Sequence, residues 1–499
     1  MGVSYLSSKC LKPLALMLGI CCVVVCSVVL VAHSPSTGSG KLHPTSRDFT
    51  KNPSQPRNRK YSSFSCSLSF SDSSGSPQSW LARSCELRGL CFDRHISNSW
   101  VSLSPASAFA LPGICERPNL TVSLSPASSV WKGNPGTPWA PEVRLQEIPA
   151  QDVTWASGTH IFYSSYNAEN PGHFILEELY GWWLLMHTFG LSADLERGLA
   201  TAWRFPTARE WTCDERLAKG DTAGVERCRR LARKLTPLLL GQTAVNVDDV
   251  RANSFPWART HLQHRPDGAP ASTGTVCFDR VLVGLGFNTD HCQDESEHGI
   301  DLKAQPLCNA GRAGLLREFA GSILRKYGKQ HPQNWLQHPI ANSCSRGPSS
   351  ARRGSTRGTR AGGVMPKVVL AEQSSENRLL VNQPSIHTTL AKMLPTDSFV
   401  AVNLAKLSAA EQLDLMSQAA VFVTTCGGGS VVNIFMPPGS TLILICNWNT
   451  RRDWHIYNFM ADRNVRWVDA GMTNSIEVHV PSLQQLVQQG LDDFQCAHV

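Results

Sequence analysis

An α/β fold is what this sequence predicts, and three observations predict it. From Lys367 onward short β-rich runs alternate with amphipathic helical stretches, the pattern that builds a parallel sheet with helices on both faces. Within that region a strand-forming run, Val421 to Thr425, stops at Cys426 and three consecutive glycines. Strand, glycine turn, helix, strand is the repeating unit of nucleotide-binding sheets. The 499 residues, 42% of them hydrophobic and 17% charged, suffice for two cores of ordinary domain size.

Residues 1–13 read as a short cytosolic tail and Leu14 to Ala32 as a transmembrane anchor. The segment holds no charge, and as a helix it reaches about 28 Å, close to the hydrocarbon thickness of a bilayer. Lys9 and Lys12 precede it, and the next Lys or Arg is Lys41. The positive-inside rule therefore places the tail in the cytosol and the body in the lumen, the type II arrangement. A cleavable signal fits less well, because a cut after Ala32 puts the large Leu30 where a small residue is expected. Four of the 17 cysteines (Cys10, Cys21, Cys22, Cys26) lie in or beside the anchor, leaving an odd number for an oxidising lumen. Cys85/Cys91, Cys213/Cys228 and Cys292/Cys308 are near enough in sequence to pair. Asn119-Leu120-Thr121 is an N-glycosylation sequon, suited to a lumenal loop.

Residues 33–79, rich in Ser, Pro, Lys and Arg, read as a flexible stem. Residues 80–342 form a longer N-terminal region rich in tryptophan and cysteine. In it Val101 to Ser107 recurs as Val122 to Ser128, a pattern for two similar edge strands, each stopped by a proline. Residues 343–366, dominated by Arg, Gly and Ser, cannot contribute to a core and read as a linker or loop. The net charge of +8 falls largely in such low-complexity stretches, which argues against a nucleic-acid partner.

Residues 367–499 carry the regular pattern. Strands are expected at Val368–Leu370, Leu379–Val381, Phe399–Val402, Val421–Thr425 and Thr441–Ile445. Helices are expected at Ser385–Leu394, from Ser408 to about Gln418, and at Leu483–Leu491. Ser408 and Glu411 have the spacing of a capping box. The glycines after Thr425 serve either as a tight connection or as a phosphate cradle, where a backbone free of side chains meets helix amides.

A second informative stretch is NPGHFILEELY, Asn170 to Tyr180, followed by Gly181-Trp182-Trp183. Helical spacing puts His173 and Glu177 one turn apart on one face. Such a pair either abstracts a proton from an alcohol or locks the helix to its neighbour. No HExxH, EF-hand loop, zinc-type paired CxxC or Asp-x-Asp occurs, so no metal site is expected. Gly428-Gly429-Ser430-Val431-Val432 lacks the second glycine of a nucleophile elbow, which argues against a serine hydrolase.

NPGHFILEEL (Asn170 to Leu179), CFDRVLVGLG (Cys277 to Gly286), ENRLLVN (Glu376 to Asn382) and the stretch from Ser408 to Ser440 occur in one order. In that order, behind a membrane anchor, they resemble glycosyltransferase family 61, which includes plant xylosyl- and arabinosyltransferases and animal O-GlcNAc transferases of the secretory pathway. The resemblance implies a GT-B architecture of two Rossmann-type domains facing a cleft. It also implies a UDP-sugar donor, a glycan or glycoprotein acceptor, inversion at the anomeric carbon, and a Golgi or ER location. His173 and Glu177 match the family's catalytic pattern, supported by Asn170 and Gln412. Arg378 matches the basic residue facing the diphosphate, and Gly427, Gly428, Gly429 and Ser430 match the donor loop. Two departures stand out: Cys426 where the family usually has His, and Gln373 where a second Arg is usual. A thiol cannot supply an imidazole's charge, and Gln cannot neutralise a phosphate. The implied function is an inverting transferase needing no metal or cofactor, with an inactive glycan-binding protein on the same fold as the alternative.

Overall fold

The structure, a computed structural model, describes residues 63–68, 83–93, 99–102, 121–124, 138–140, 142–145, 153–165, 170–205, 219–240, 245–246, 275–285, 306–341, 363–372, 379–446, 457, 460, 462–470 and 475–498. The apolar segment 14–32, Asn119, Gln373 and Arg378 lie outside them. Among the described residues no helix is long and apolar enough to cross a membrane.

Two main sheets organise residues 57–499, which form one compact unit. The first contains β1 (Ser63–Leu68), β2 (Arg83–Asp93), β3 (Ser99–Ser102), β6 (Glu142–Leu145), β7 (Val153–Tyr163), β8 (Ala200–Arg204), β9 (Val245–Asn246) and β10 (Thr275–Val283). Its order is β6-β3-β2-β10-β7-β8-β9, with β1 also on β2. β10, β7, β8 and β9 run parallel, while β2 is antiparallel to β10. A separate hairpin pairs β4 (Val122–Ser123) with β5 (Pro138–Trp139).

Three expectations are revised here. The stretch expected to be stem holds a strand, β1, tied to β2 along its length and by the Cys66–Cys85 disulfide. Cys85 and Cys91 do not pair with each other. They lie six residues apart on one strand, about 20 Å at the strand rise, far beyond disulfide reach. Instead each bonds the residue directly opposite on a neighbouring strand, Cys91 to Cys277. The two copies of the Val-Ser-Leu-Ser repeat do not form equivalent edge strands either: one lies in β3, between β2 and β6, and the other in the separate hairpin. The copies share a local sequence, but their flanking chain delivers them to different neighbours.

The second sheet follows the expected pattern closely. β11 (Lys367–Ala371), β13 (Phe399–Val402), β14 (Ala419–Thr425), β15 (Thr441–Cys446) and β16 (Asn464–Asp469) are all parallel, in the order β13-β11-β14-β15-β16. β12 (Leu379–Leu380) pairs with β17 (Ser475–Ile476) beside it. β14 and β15 are buried on both faces, which is why they read as unbroken apolar runs rather than alternating ones.

Side chains nonetheless alternate between two cores. Val368, Leu370, Val421, Val423, Ile443 and Ile445 face a core shared with Ile386, Leu390, Leu483, Val487 and Leu491. Val369, Phe422, Leu442 and Leu444 face the opposite core, with Leu413, Met416, Val431 and Phe435. Burying each such side chain contributes about 1.5–3 kcal/mol. That second core also contains Ile161, Tyr163, Phe174, Leu235 and Phe319 from the N-terminal half. The two sheets therefore share apolar packing.

Candidate active site

In a doubly wound sheet, ligands sit at the carboxyl ends of the strands where the strand order reverses. Both sheets have such a point. In the second, the chain passes from β11 outward to β13 and then back to β14 on the other side, so the crevice lies between the ends of β11 and β14. In the first, β8 and β10 flank β7, and the crevice lies at the ends of β7 and β10.

The chain leaving β7 through Ser164 and Ser165 arrives at Asn170, which caps the next helix. Its Oδ1 accepts from the Gly172 N–H at 2.9 Å, and Pro171 occupies the first helical position, where a missing N–H costs nothing. A short α1 (Pro171–His173) continues into a π-helical stretch (Phe174–Leu179) and then α2 (Tyr180–Thr188). The Tyr180 N–H donates to the carbonyl of Ile175, five residues back. Such widened turns inside helices are frequent at functional sites. His173 Nδ1 lies 2.9 Å from Glu177 Oε1. The His173 side chain keeps 8% of its surface exposed, and that of Glu177 keeps 0%. The adjacent Glu178 is buried too, and its carboxylate accepts from the Ser165 hydroxyl.

The glycine loop leaves β14 at the other crevice. Gly427 takes φ 130°, ψ −173°, a left-handed region that only glycine enters freely. It starts a 3-10 helix, Gly428–Phe435, whose serine is turned inward: Ser430 Oγ donates to the Gly427 carbonyl at 2.8 Å and lies 3.5 Å from the Tyr457 hydroxyl. Gly428 packs on Asn170, whereas a β-carbon on Gly429 would meet nothing within 4 Å. The open side of the loop is therefore at Gly429. The far end of the helix is held by Arg463, whose guanidinium donates to the carbonyls of Asn433 at 2.6 Å and Met436 at 3.1 Å. Burial lowers the Arg463 pKa to about 10, still well above neutral pH, so the group remains a cation. At the near end Cys426 forms a disulfide with Cys446, joining the ends of β14 and β15.

The structure thus brings Asn170, His173 and Glu177 together with Gly427, Gly428, Gly429 and Ser430. Ser430 spends its hydroxyl inside the loop. Gln412 serves elsewhere: its amide donates to the carbonyls of Leu404 at 2.7 Å and Leu407 at 3.4 Å, pinning the turn before its own helix. Arg378 and Gln373 belong to the connection between β11 and β12, outside the described residues. Sequence reasoning missed Glu178, Arg463, Tyr457 and Cys446. Only Glu178, next to Glu177, offered a signal; the others become visible once strands β15 and β16 are in place. Among the described residues no group of His, Cys, Asp and Glu could hold a metal ion.

Paired α/β sheets whose carboxyl edges meet at a glycine loop and a buried His–Glu pair suit transfer chemistry on a nucleotide-bound substrate. Residues 228–443 match the sequence model of the Glycosyltransferase 61 family; the match supports membership of that family and indicates a glycosyltransferase. The matched region runs through the glycine loop and into β15, while His173 and Glu177 precede it. No curated protein matches the chain.

Proposed function

We propose that this chain is an inverting, UDP-sugar-dependent glycosyltransferase of GT-B-like architecture acting on a glycan or glycoprotein acceptor. The sugar belongs to the xylose, arabinose or GlcNAc class. Residues 14–32 anchor it as a type II protein of the Golgi or ER membrane, with its body lumenal and Asn119 open to glycosylation. The observation that carries the reading is the contact of Asn170 with Gly428. It sets the helix bearing the His–Glu pair directly against the donor loop, so that acceptor and donor meet at one place.

In this reading the diphosphate rests on the open side of the loop at Gly429, with backbone amides and Arg378 offsetting its charge. No metal is required. His173 is the base and Glu177 its positioning partner. Of the two, only His173 retains exposed surface, whereas the Glu177 carboxylate is enclosed and touches the ring at Nδ1. A carboxylate there favours the tautomer with a proton on Nδ1 and stabilises the imidazolium formed when the other nitrogen takes the acceptor's proton. The acceptor oxygen then attacks the anomeric carbon as the bond to UDP breaks on the opposite face.

A non-catalytic glycan-binding reading draws on the Cys426–Cys446 disulfide, which leaves neither an imidazole nor a thiol at the head of the loop. Calorimetric titration of the full-length protein with UDP, with and without EDTA, separates the two. Micromolar binding that survives the chelator and disappears in Arg378→Ala supports the transferase. A folded sample that ignores UDP overturns the donor site and leaves the glycan-binding alternative.

A further inference from the structure

The helix spanning Thr222–Leu239, here α4, is two-sided. Val225, Cys228, Leu235, Leu238 and Leu239 are buried, and most of them join the core that holds Phe174, Leu176 and Leu179 of the π-helical stretch. The opposite side carries Arg227, Arg229, Arg230 and Arg233, all exposed, and the half-buried Lys234. Arg233 is matched by Glu226, and Arg227 lies 3.9 Å from Asp221. Among the described residues Arg229 and Arg230 make no ion pair. Lys234 donates to the Ala405 carbonyl, and the exposed Lys406 follows in sequence, widening the basic surface.

This arrangement works against the helix that carries it. Arg227/Arg230, Arg229/Arg233, Arg230/Arg233 and Arg230/Lys234 are like charges at three- and four-residue spacing, and each such pair is destabilising. An anionic partner bound among these cations adds attractive terms that offset the repulsion. Four of the five cations are arginine, whose planar fork grips a carboxylate in two places, where lysine offers a point charge. A membrane surface fits less well, because the apolar side of α4 is spent on the protein core and no large apolar residue stands among the exposed cations.

We infer that the exposed face of α4 binds a polyanionic, carboxylate-bearing glycan, and that the acceptor of this enzyme is of that class. The choice of a glycan rests on the transferase reading above; the choice of a polyanion rests on the helix itself. Only the thickness of α4, about 10 Å, separates this face from the stretch that carries Glu177.

The test uses the full-length chain in detergent, titrated with an oligogalacturonide, with an uncharged oligosaccharide of equal length, and with UDP. The oligogalacturonide should bind, more weakly at high salt, and lose about tenfold in affinity in Arg229→Glu/Arg230→Glu. Arg229→Lys/Arg230→Lys should fall between. UDP affinity should be unchanged in both variants, which also reports that they fold. Equal binding of the charged and uncharged saccharides, or undiminished binding by the charge-reversed variant, overturns the proposal. So does retention on phosphatidylserine vesicles without binding to the oligogalacturonide. UDP binding without oligogalacturonide binding removes this surface alone. Oligogalacturonide binding without UDP binding removes the donor site and leaves the surface standing.

Discussion

Asn170 and Gly428 meet so closely that a β-carbon on Gly428 would lie 2.0 Å from the Asn170 Oδ1 and 3.0 Å from the Gly172 N. The same Oδ1 caps the helix that presents His173. One oxygen therefore stands at the start of the helix and against the glycine loop, and a methyl group at position 428 must displace it.

Gly428→Ala should cost about 1–3 kcal/mol through overpacking and loss of the cap, and should weaken UDP binding. Asn170→Ala should weaken the helix by about 1 kcal/mol. Because the two changes act on one contact, the double variant should be more stable than the sum of the single effects predicts. Thermal melts of the four proteins read this directly, and strict additivity would contradict the contact.

The His–Glu pair should show unequal roles. His173→Ala should reduce turnover about 10²–10⁴-fold with little change in UDP affinity. Glu177→Gln should reduce it less and shift the acid limb of the rate profile, since the imidazolium loses its stabilising charge. Full activity in His173→Ala, or an equal loss with no shift in the pH profile of Glu177→Gln, would reject the assignment.

The Cys426–Cys446 bond closes a loop of 20 residues that includes the whole glycine turn. Closing a loop of that size contributes about 3 kcal/mol in the chain-entropy account. Cys446→Ser should therefore lower the melting temperature and the UDP affinity together. Peptide mapping without reduction should recover the two cysteines in one linked species; finding both as free thiols would remove the idea.

Arg463 holds the other end of the loop helix. Arg463→Met leaves two buried carbonyls without their donor and should cost about 3 kcal/mol. Arg463→Lys keeps the charge but loses the two-pronged reach, so it should fall between. Melting curves and UDP titrations of both variants check the order.

Stability should also fall with acid through His338. Burial lowers its pKa from 6.5 to about 4, and its Nδ1 accepts from the Ile340 N–H, which favours the neutral ring. The unfolded chain binds a proton below pH 6.5 while the folded one does not until about pH 4. Folding stability therefore declines as pH falls through that window and changes no further below it on this account. His331, lowered chiefly by burial, acts in the same direction. His338→Gln should show a shallower decline in melting temperature between neutral pH and pH 4 than the parent protein.

Much of the second sheet was legible because its determinants are local. β14 and β15 are buried on both faces, so they announce themselves as apolar runs. The capping box at Ser408 and Glu411 marks a helix start, and that helix begins at Ala409. The turn at Gly427 needs a residue without a side chain, and three glycines stand there. The first sheet was not legible, since its strands come from segments far apart in the chain and mix parallel with antiparallel pairing. Disulfide partners followed the same logic. Cys66–Cys85 and Cys91–Cys277 join residues placed opposite each other by register, and register is a property of the assembled sheet.

By itself, then, the sequence determined the α/β class, the doubly wound second sheet, the glycine turn and the one-turn spacing of His173 and Glu177, because each depends on neighbours within a few residues. Tertiary structure alone decided that Asn170 meets Gly428, that Glu177 is enclosed while His173 keeps a surface, that Ser430 turns inward, and that Cys426 is bonded to Cys446. Each of these depends on which distant segments pack together, and packing is settled by the shape and burial of whole elements rather than by the residues that end up in contact.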